Sequence, residues 1–304
     1  MQASLAPLLR CMASDLWEGR EAENGKIYLV HQYGSGSTLD FTHLVFTSSI
    51  SRRPIVPTDW VRLLTYASRI SVLGHENYVL KDEFIPQTSA EAFQVLSSSK
   101  PTLAPLCPNL HTLDWINLLN RPNDNKDVFS YIRPFLVPNL RDLGICWYGT
   151  DFTRISTILS LPRIYPGLTV VVICDYSDDD DEQSAYSHDT ISDAVCQWNQ
   201  LERFRWDGYL SHRALIHLAG LTKLQTINVS IPDLSIADWQ AHLSILQKPG
   251  FCALQMAIIT CKRISSCTSL IDIPSLRQLD SISIIVRDDP EVAAVGRLFQ
   301  ALNT

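Results

Sequence analysis

One short apolar pattern returns along the chain from Leu110 onward, and it limits the possible folds more than any other feature. Four segments read x-P-x-L: CPNL ending at Leu110, VPNL at Leu140, YPGL at Leu168 and IPSL at Leu276. Each has an apolar residue three positions on, at Leu113, Leu143, Val171 and Leu279. Three have another two later, at Trp115, Ile145 and Ile173. Three further segments keep the pattern without the proline: Leu201-Phe204-Trp206, Leu224-Ile227-Val229 and Leu254-Ala257-Ile259. The anchors at 110, 140, 168, 201, 224, 254 and 276 are 30, 28, 33, 23, 30 and 22 residues apart. The last unit fits two registers: Leu276-Leu279 breaks at Ser281, whereas Leu279-Ile282-Ile284 fits in a shifted one.

Apolar residues two apart share one face of a strand. A proline cannot donate to a ladder, so it belongs just ahead of the strand. Strands are therefore predicted at 110–116, 140–146, 168–174, 201–207, 224–230 and 254–260, with Leu113, Leu143, Ile145, Phe204 and Ile227 in the core. The segments between carry helical spacing. Thr58 precedes Trp60, Leu63, Leu64 and Ala67, and Ile191, Ala194, Val195 and Trp198 repeat the same spacing. Phe152, Ile155 and Leu159 form a third stripe, and Val292, Val295, Phe299 and Leu302 a last one. Strand–helix units stacked in order give an α/β leucine-rich-repeat solenoid, a curved parallel sheet with helices on its convex side and irregular repeats. A doubly wound enzyme domain also alternates strand and helix, but it has no reason to keep a recurring anchor.

Composition narrows the function classes. With 304 residues, 46% of them hydrophobic and 19% charged, the chain can build a sizeable core. A net charge of −7 argues against a general nucleic-acid binder. No long uninterrupted apolar run exists, so neither a membrane span nor a signal peptide is expected. Eight cysteines without a CxxC pair then read as reduced thiols of a cytoplasmic or nuclear protein. The 12 glycines are few for an enzyme built on glycine-rich βα loops.

No segment reads as a catalytic or metal site. Tyr33-Gly34-Ser35-Gly36-Ser37-Thr38 matches neither G-x-x-x-x-G-K-[ST] nor G-x-G-x-x-G and reads as a surface turn. The acidic run Asp178–Glu182 lacks the glycine and glutamate of a calcium loop, so residues 175–189 read as a solvated insertion. The eight histidines form no H-E-x-x-H, and Cys107 with His111 finds no second pair for zinc. G-x-S-x-G is absent too. No cofactor, metal or catalytic residue is expected. What remains is the strand face turned away from the core. It comprises Thr112, Asp114 and Ile116; Asp142, Gly144 and Cys146; Val170, Val172 and Cys174; Arg203, Arg205 and Asp207; Thr226, Asn228 and Ser230; and Met256, Ile258 and Thr260. Concave solenoid faces commonly bind partners, which makes Asp114, Asp142, Arg203, Arg205, Asp207 and Asn228 the candidate contacts. Asp207 has a second reading, as a plain surface salt bridge with Arg205.

Three further stretches resemble a known family: LAPLLRCMASDLW (5–17), HLVFTSSISRRPIVPTDWVRLLTYASRISVL (43–73) and LCPNLHTLDW (106–115). With the anchored repeats they are similar to fungal F-box and leucine-rich-repeat proteins. The resemblance implies a helical lead-in over 1–20, like the segment after an F-box, and an irregular repeat domain over 21–304. It also implies substrate recognition for a cullin–RING ubiquitin ligase, in which the F-box holds a Skp-type adaptor and the repeats hold the substrate. The F-box itself is not legible in these residues, so adaptor binding is carried onto none of them. The expectation is a non-catalytic interaction module with a protein partner on the concave face. The alternatives are a free-standing repeat scaffold and a solenoid-like enzyme without a recognisable motif.

Overall fold

The computed structural model describes residues 2–3, 8–9, 11–12, 16–21, 27–31, 55–74, 87–88, 90–101, 104–115, 129–147, 152–175, 182–231, 250–263 and 279–288. The Gly34–Gly36 turn and the stripe from Val292 lie outside them. The chain is α/β and divides into two compact units, Met1–Leu140 and Arg141–Thr304.

The first unit contains β1 (Gln2–Ala3), β2 (Trp17–Glu21), β3 (Ile27–His31), α1 (Pro57–Ala67), β4 (Val72–Leu73), β5 (Gln87–Thr88), α2 (Ala90–Ser99), β6 (Thr112–Asp114) and a 3-10 helix, Phe129–Phe135. Strands β1, β4 and β6 are neighbours in that order and parallel. In a separate sheet, β2 runs antiparallel to β3, which pairs in parallel with β5. Helix α1 starts at Pro57, one residue ahead of Thr58, because Pro57 loses no hydrogen bond there and the Asp59 carboxylate accepts from the Val56 N–H at 2.9 Å. Its buried face carries Trp60, Leu63 and Ala67. Phe93, Trp115 and Phe135 pack ring against ring, with centroids 5.0, 5.5 and 6.4 Å apart.

The second unit contains β7 (Asp142–Trp147), α3 (Phe152–Ile164), β8 (Val170–Asp175), α4 (Glu182–Val195), β9 (Arg203–Tyr209), α5 (His212–Gly220), β10 (Thr226–Ile231), β11 (Met256–Cys261) and β12 (Ser281–Val286). These strands lie in sequence order, and every neighbouring pair is parallel. The same joint recurs at each step. The Arg141 carbonyl accepts from the N–H groups of Thr169 and Val170, Thr169 from Glu202 and Arg203, Glu202 from Gln225 and Thr226, Gln225 from Gln255 and Met256, and Gln255 from Asp280 and Ser281. Two apolar rows run across the sheet. One is Leu143-Val171-Phe204-Ile227-Ala257-Ile282 and the other Ile145-Ile173-Trp206-Val229-Ile259-Ile284. All members before β12 are buried, and the expected core residues Leu113, Leu143, Ile145, Phe204 and Ile227 are at most 3% exposed.

The structure corrects several expectations. Strands begin two residues after their anchors. At Leu110, Leu140, Leu168 and Leu254 the anchor spends its N–H closing a turn, as in Leu140 to Val137 at 3.1 Å and Leu254 to Phe251 at 3.1 Å, and so cannot join the ladder. The last unit takes the shifted register, with Ile282 beside Ala257 and Ile284 beside Ile259. Helix α3 buries Ile158 and Leu161 and leaves Leu159 37% exposed, so Leu159 does not belong to the inward stripe; the side chains of Phe152 and Ile155 lie outside the described residues. Residues 175–189 are not one insertion. Asp175 ends β8 and Glu182 opens α4, while Asp178–Asp181 of the acidic run lie outside the described residues.

Candidate functional site

Alternation along β9 sets the candidate face. Phe204 and Trp206 are buried on one side, and Arg203 and Arg205 are exposed on the other. Helix α5 covers the buried side, where Leu215 meets Ile227 and Val229 around one interior gap. Register extends the free side across the sheet. Asp142, Val170, Arg203, Thr226, Met256 and Ser281 form one row, and Gly144, Val172, Arg205, Asn228, Ile258 and Ser283 the next. Val170, Val172, Thr226, Asn228 and Ile258 are half-buried, and Met256 is exposed. The face is thus apolar and neutral-polar, with few charges. Asp142 is half-buried at its β7 border. Asp114, also half-buried, sits on β6 in the first unit.

Arg205 reaches Asp207 with two bonds, Nε to Oδ1 at 2.9 Å and Nη2 to Oδ2 at 3.3 Å. The two side chains are 47% and 31% exposed, so the pair contributes little to stability, about 0–1 kcal/mol. It cancels the charge of both residues. Among the described residues, no hydrogen bond or ion pair engages the Arg203 side chain.

The third row departs from expectation. Ser230 is 1% and Cys174 3% exposed, although alternation placed both on the free side. For Ser230 the reason is a bulge. Trp206 pairs with Val229 but Tyr209 with Ser230, so Asp207 and Gly208 are extra residues on β9. Ser230 Oγ then donates to the Asp207 carbonyl at 3.0 Å, which satisfies the hydroxyl inside the fold. The side chain of Cys146, and all of Ile116, lie outside the described residues.

Sequence reasoning missed the rim that the bulge creates. Trp206 Nε1 donates to the Tyr209 carbonyl at 3.1 Å. His188 of α4 stands edge-on to Trp206 and Tyr209, at 6.1 and 5.5 Å between centroids. The Arg287 guanidinium lies 5.7 Å from the Tyr209 ring centre. Also missed was a polar joint between helices, in which Ser192 Oγ accepts from the Ser211 N–H at 2.8 Å. Ser211 caps α5 by accepting from the Ala214 N–H at 3.3 Å. The only trace in sequence was a glycine two residues after a tryptophan, and a serine ahead of a helical stripe.

At the opposite ends of the strands, a groove of about 480 Å³ lies before β9, β10 and β11, lined by Glu202, Lys223, Gln225, Cys252 and Gln255 among others. Lys223 Nζ donates to Gln200 Oε1 at 3.2 Å at its edge. The floor includes Phe251, buried and held at a φ of 60°, a left-handed conformation that side chains seldom adopt. Among the described residues, no group of three or more His, Cys, Asp or Glu side chains is placed to hold a metal ion, and no helix is long and apolar enough to cross a membrane. No protein-family model matches the chain, and no curated protein matches it.

Proposed function

We propose that the chain is a non-catalytic protein-interaction module whose strand–helix units form a leucine-rich-repeat solenoid, with the free face of β8–β11 as its binding surface. One observation carries this reading. The parallel strands present rows of apolar and neutral-polar side chains on the face opposite the one that α5 covers, and the ion pair described on it, Arg205 with Asp207, is a local one. Such a surface suits a protein partner, which would bury Val172, Met256 and Ile258. The resemblance to F-box proteins makes the partner a substrate of a cullin–RING ubiquitin ligase in the cytoplasm or nucleus. Where an F-box precedes these residues, it would recruit the Skp-type adaptor, and residues 1–304 alone would not. Without it the same face serves a free-standing scaffold.

The test is affinity capture followed by reconstitution from purified components. A partner that binds the parent chain and loses affinity for Met256→Glu and Ile258→Glu, with both variants folded, supports the reading. A partner indifferent to both changes contradicts the assignment of the face, and turnover of a substrate contradicts the class.

A further inference from the structure

We infer that the free face of β8–β11 takes a short partner segment carrying one carboxylate between apolar side chains, with Arg203 as its anchor; this rests on the interaction reading above. Each charged group in these strands whose side chain is described is accounted for except one. Arg205 and Asp207 satisfy each other. The Arg203 side chain is exposed and, among the described residues, makes neither a hydrogen bond nor an ion pair. Its row neighbours are Val170 on one side and Thr226 then Met256 on the other. The row therefore reads apolar, cation, hydroxyl, apolar, at strand spacings of about 4.8 Å. A guanidinium pairs with a carboxylate through two parallel bonds, and flanking apolar groups on the partner would cover Val170 and Met256 and keep water from the pair.

The electrostatics also limit the charge of that segment. The chain carries a net charge of −7, so a polyacidic partner would meet net repulsion. One carboxylate in an otherwise apolar segment meets the local cation without that cost. A basic segment would bring a like charge to Arg203 and leave it unpaired.

The test is selection of a random peptide library on residues 1–304 as parent, Arg203→Glu and Arg213→Glu. Arg213 on α5 is a control of equal charge change away from the strand face, where its own contact is Asp193 at 3.7 Å. The expected parent selection is enriched in Asp or Glu flanked by Leu, Ile or Phe. Those peptides should lose at least about tenfold in affinity on Arg203→Glu and keep it on Arg213→Glu. Selection on Arg203→Glu should turn to Lys or Arg at the same position. No acidic enrichment, or acidic peptides that bind Arg203→Glu as well as the parent, overturns the inference. Peptides of another composition that are lost on Met256→Glu would overturn it while leaving the interaction reading in place. Peptides insensitive to every face variant would overturn both.

Discussion

Replacing Gly208 by alanine tests the bulge that shapes the rim. A Cβ at this position would stand 2.6 Å from Trp206 Cζ2, 2.7 Å from Trp206 Cε2 and 2.9 Å from His188 Cδ2. Carbon atoms pack at about 3.5–4.0 Å, so the neighbours would have to give by roughly an ångström. They have little room to do so. Trp206 is fully buried and its Nε1 is tied to the Tyr209 carbonyl, while His188 is packed edge-on against Trp206 and Tyr209. Overpacking of this kind costs about 1–3 kcal/mol, which lowers the Tm of a unit this size by about 3–10 °C. Gly167 is the internal control, because a Cβ there meets nothing within 4 Å. Thermal unfolding by circular dichroism should show Gly208→Ala destabilised and Gly167→Ala within about 2 °C of the parent. Trp206→Phe removes the atoms that clash, so the cost of Gly208→Ala should shrink in that background, a coupling readable from a double-mutant cycle. Equal Tm values for Gly208→Ala and Gly167→Ala, with no coupling to Trp206, would refute the packing described.

Two further outcomes follow from burial. Leu143 is 1% exposed on β7, so Leu143→Asp should bury an unpaired carboxylate and cost several kcal/mol in chemical unfolding; a Tm within a degree or two of the parent would show the register to be wrong. Burial pushes the Cys107 thiol from its ordinary 9.0 up to about 12, against a smaller opposing pull from Lys100. The folded chain thus holds this proton longer than the unfolded one. The stability it contributes is intact below pH 9.0 and is lost toward pH 12, by up to about 1.4 kcal/mol per pH unit. Unfolding midpoints measured across that window should fall more steeply for the parent than for Cys107→Ala. Lys100, whose pKa burial lowers, remains in both proteins and largely cancels in the comparison. Thiol alkylation of the folded chain at neutral pH should modify exposed Cys252 well before buried Cys107, Cys174 and Cys261.

Much of the second unit was legible in sequence because its signal is periodic. The two apolar residues after each anchor, such as Phe204 and Trp206, declared both a strand and its buried side, and the parallel sheet follows them residue for residue. The starts of the strands were misplaced because an anchor leucine is as buried as its strand partners. Nothing in the pattern says that its N–H closes a turn instead. Arg203 and Arg205 were found by alternation alone. The pairing of Arg205 with Asp207 was an open alternative, since spacing brings the two residues to one face but cannot orient a side chain. The rim was illegible for a different reason. His188 comes from a helix about twenty residues ahead of Trp206 and Tyr209, and the bulge that seats it depends on Gly208 having no Cβ. Long-range packing of this kind leaves no local period. The same holds for the groove beside Phe251, which is assembled from three separate connections.

The free face of β8–β11 is the claim on which the functional reading stands, and two adjacent residues test it directly. Phe204 is 1% exposed, and Arg203, its neighbour in the same strand, is exposed. Placing the same carboxylate at each position asks which side of β9 is buried. Thermal unfolding should find Arg203→Asp within about 2 °C of the parent and Phe204→Asp lower by more than about 10 °C or no longer cooperative. Equal losses at both positions, or a greater loss at Arg203, would mean that both faces of β9 are covered and that no free surface exists there for a partner.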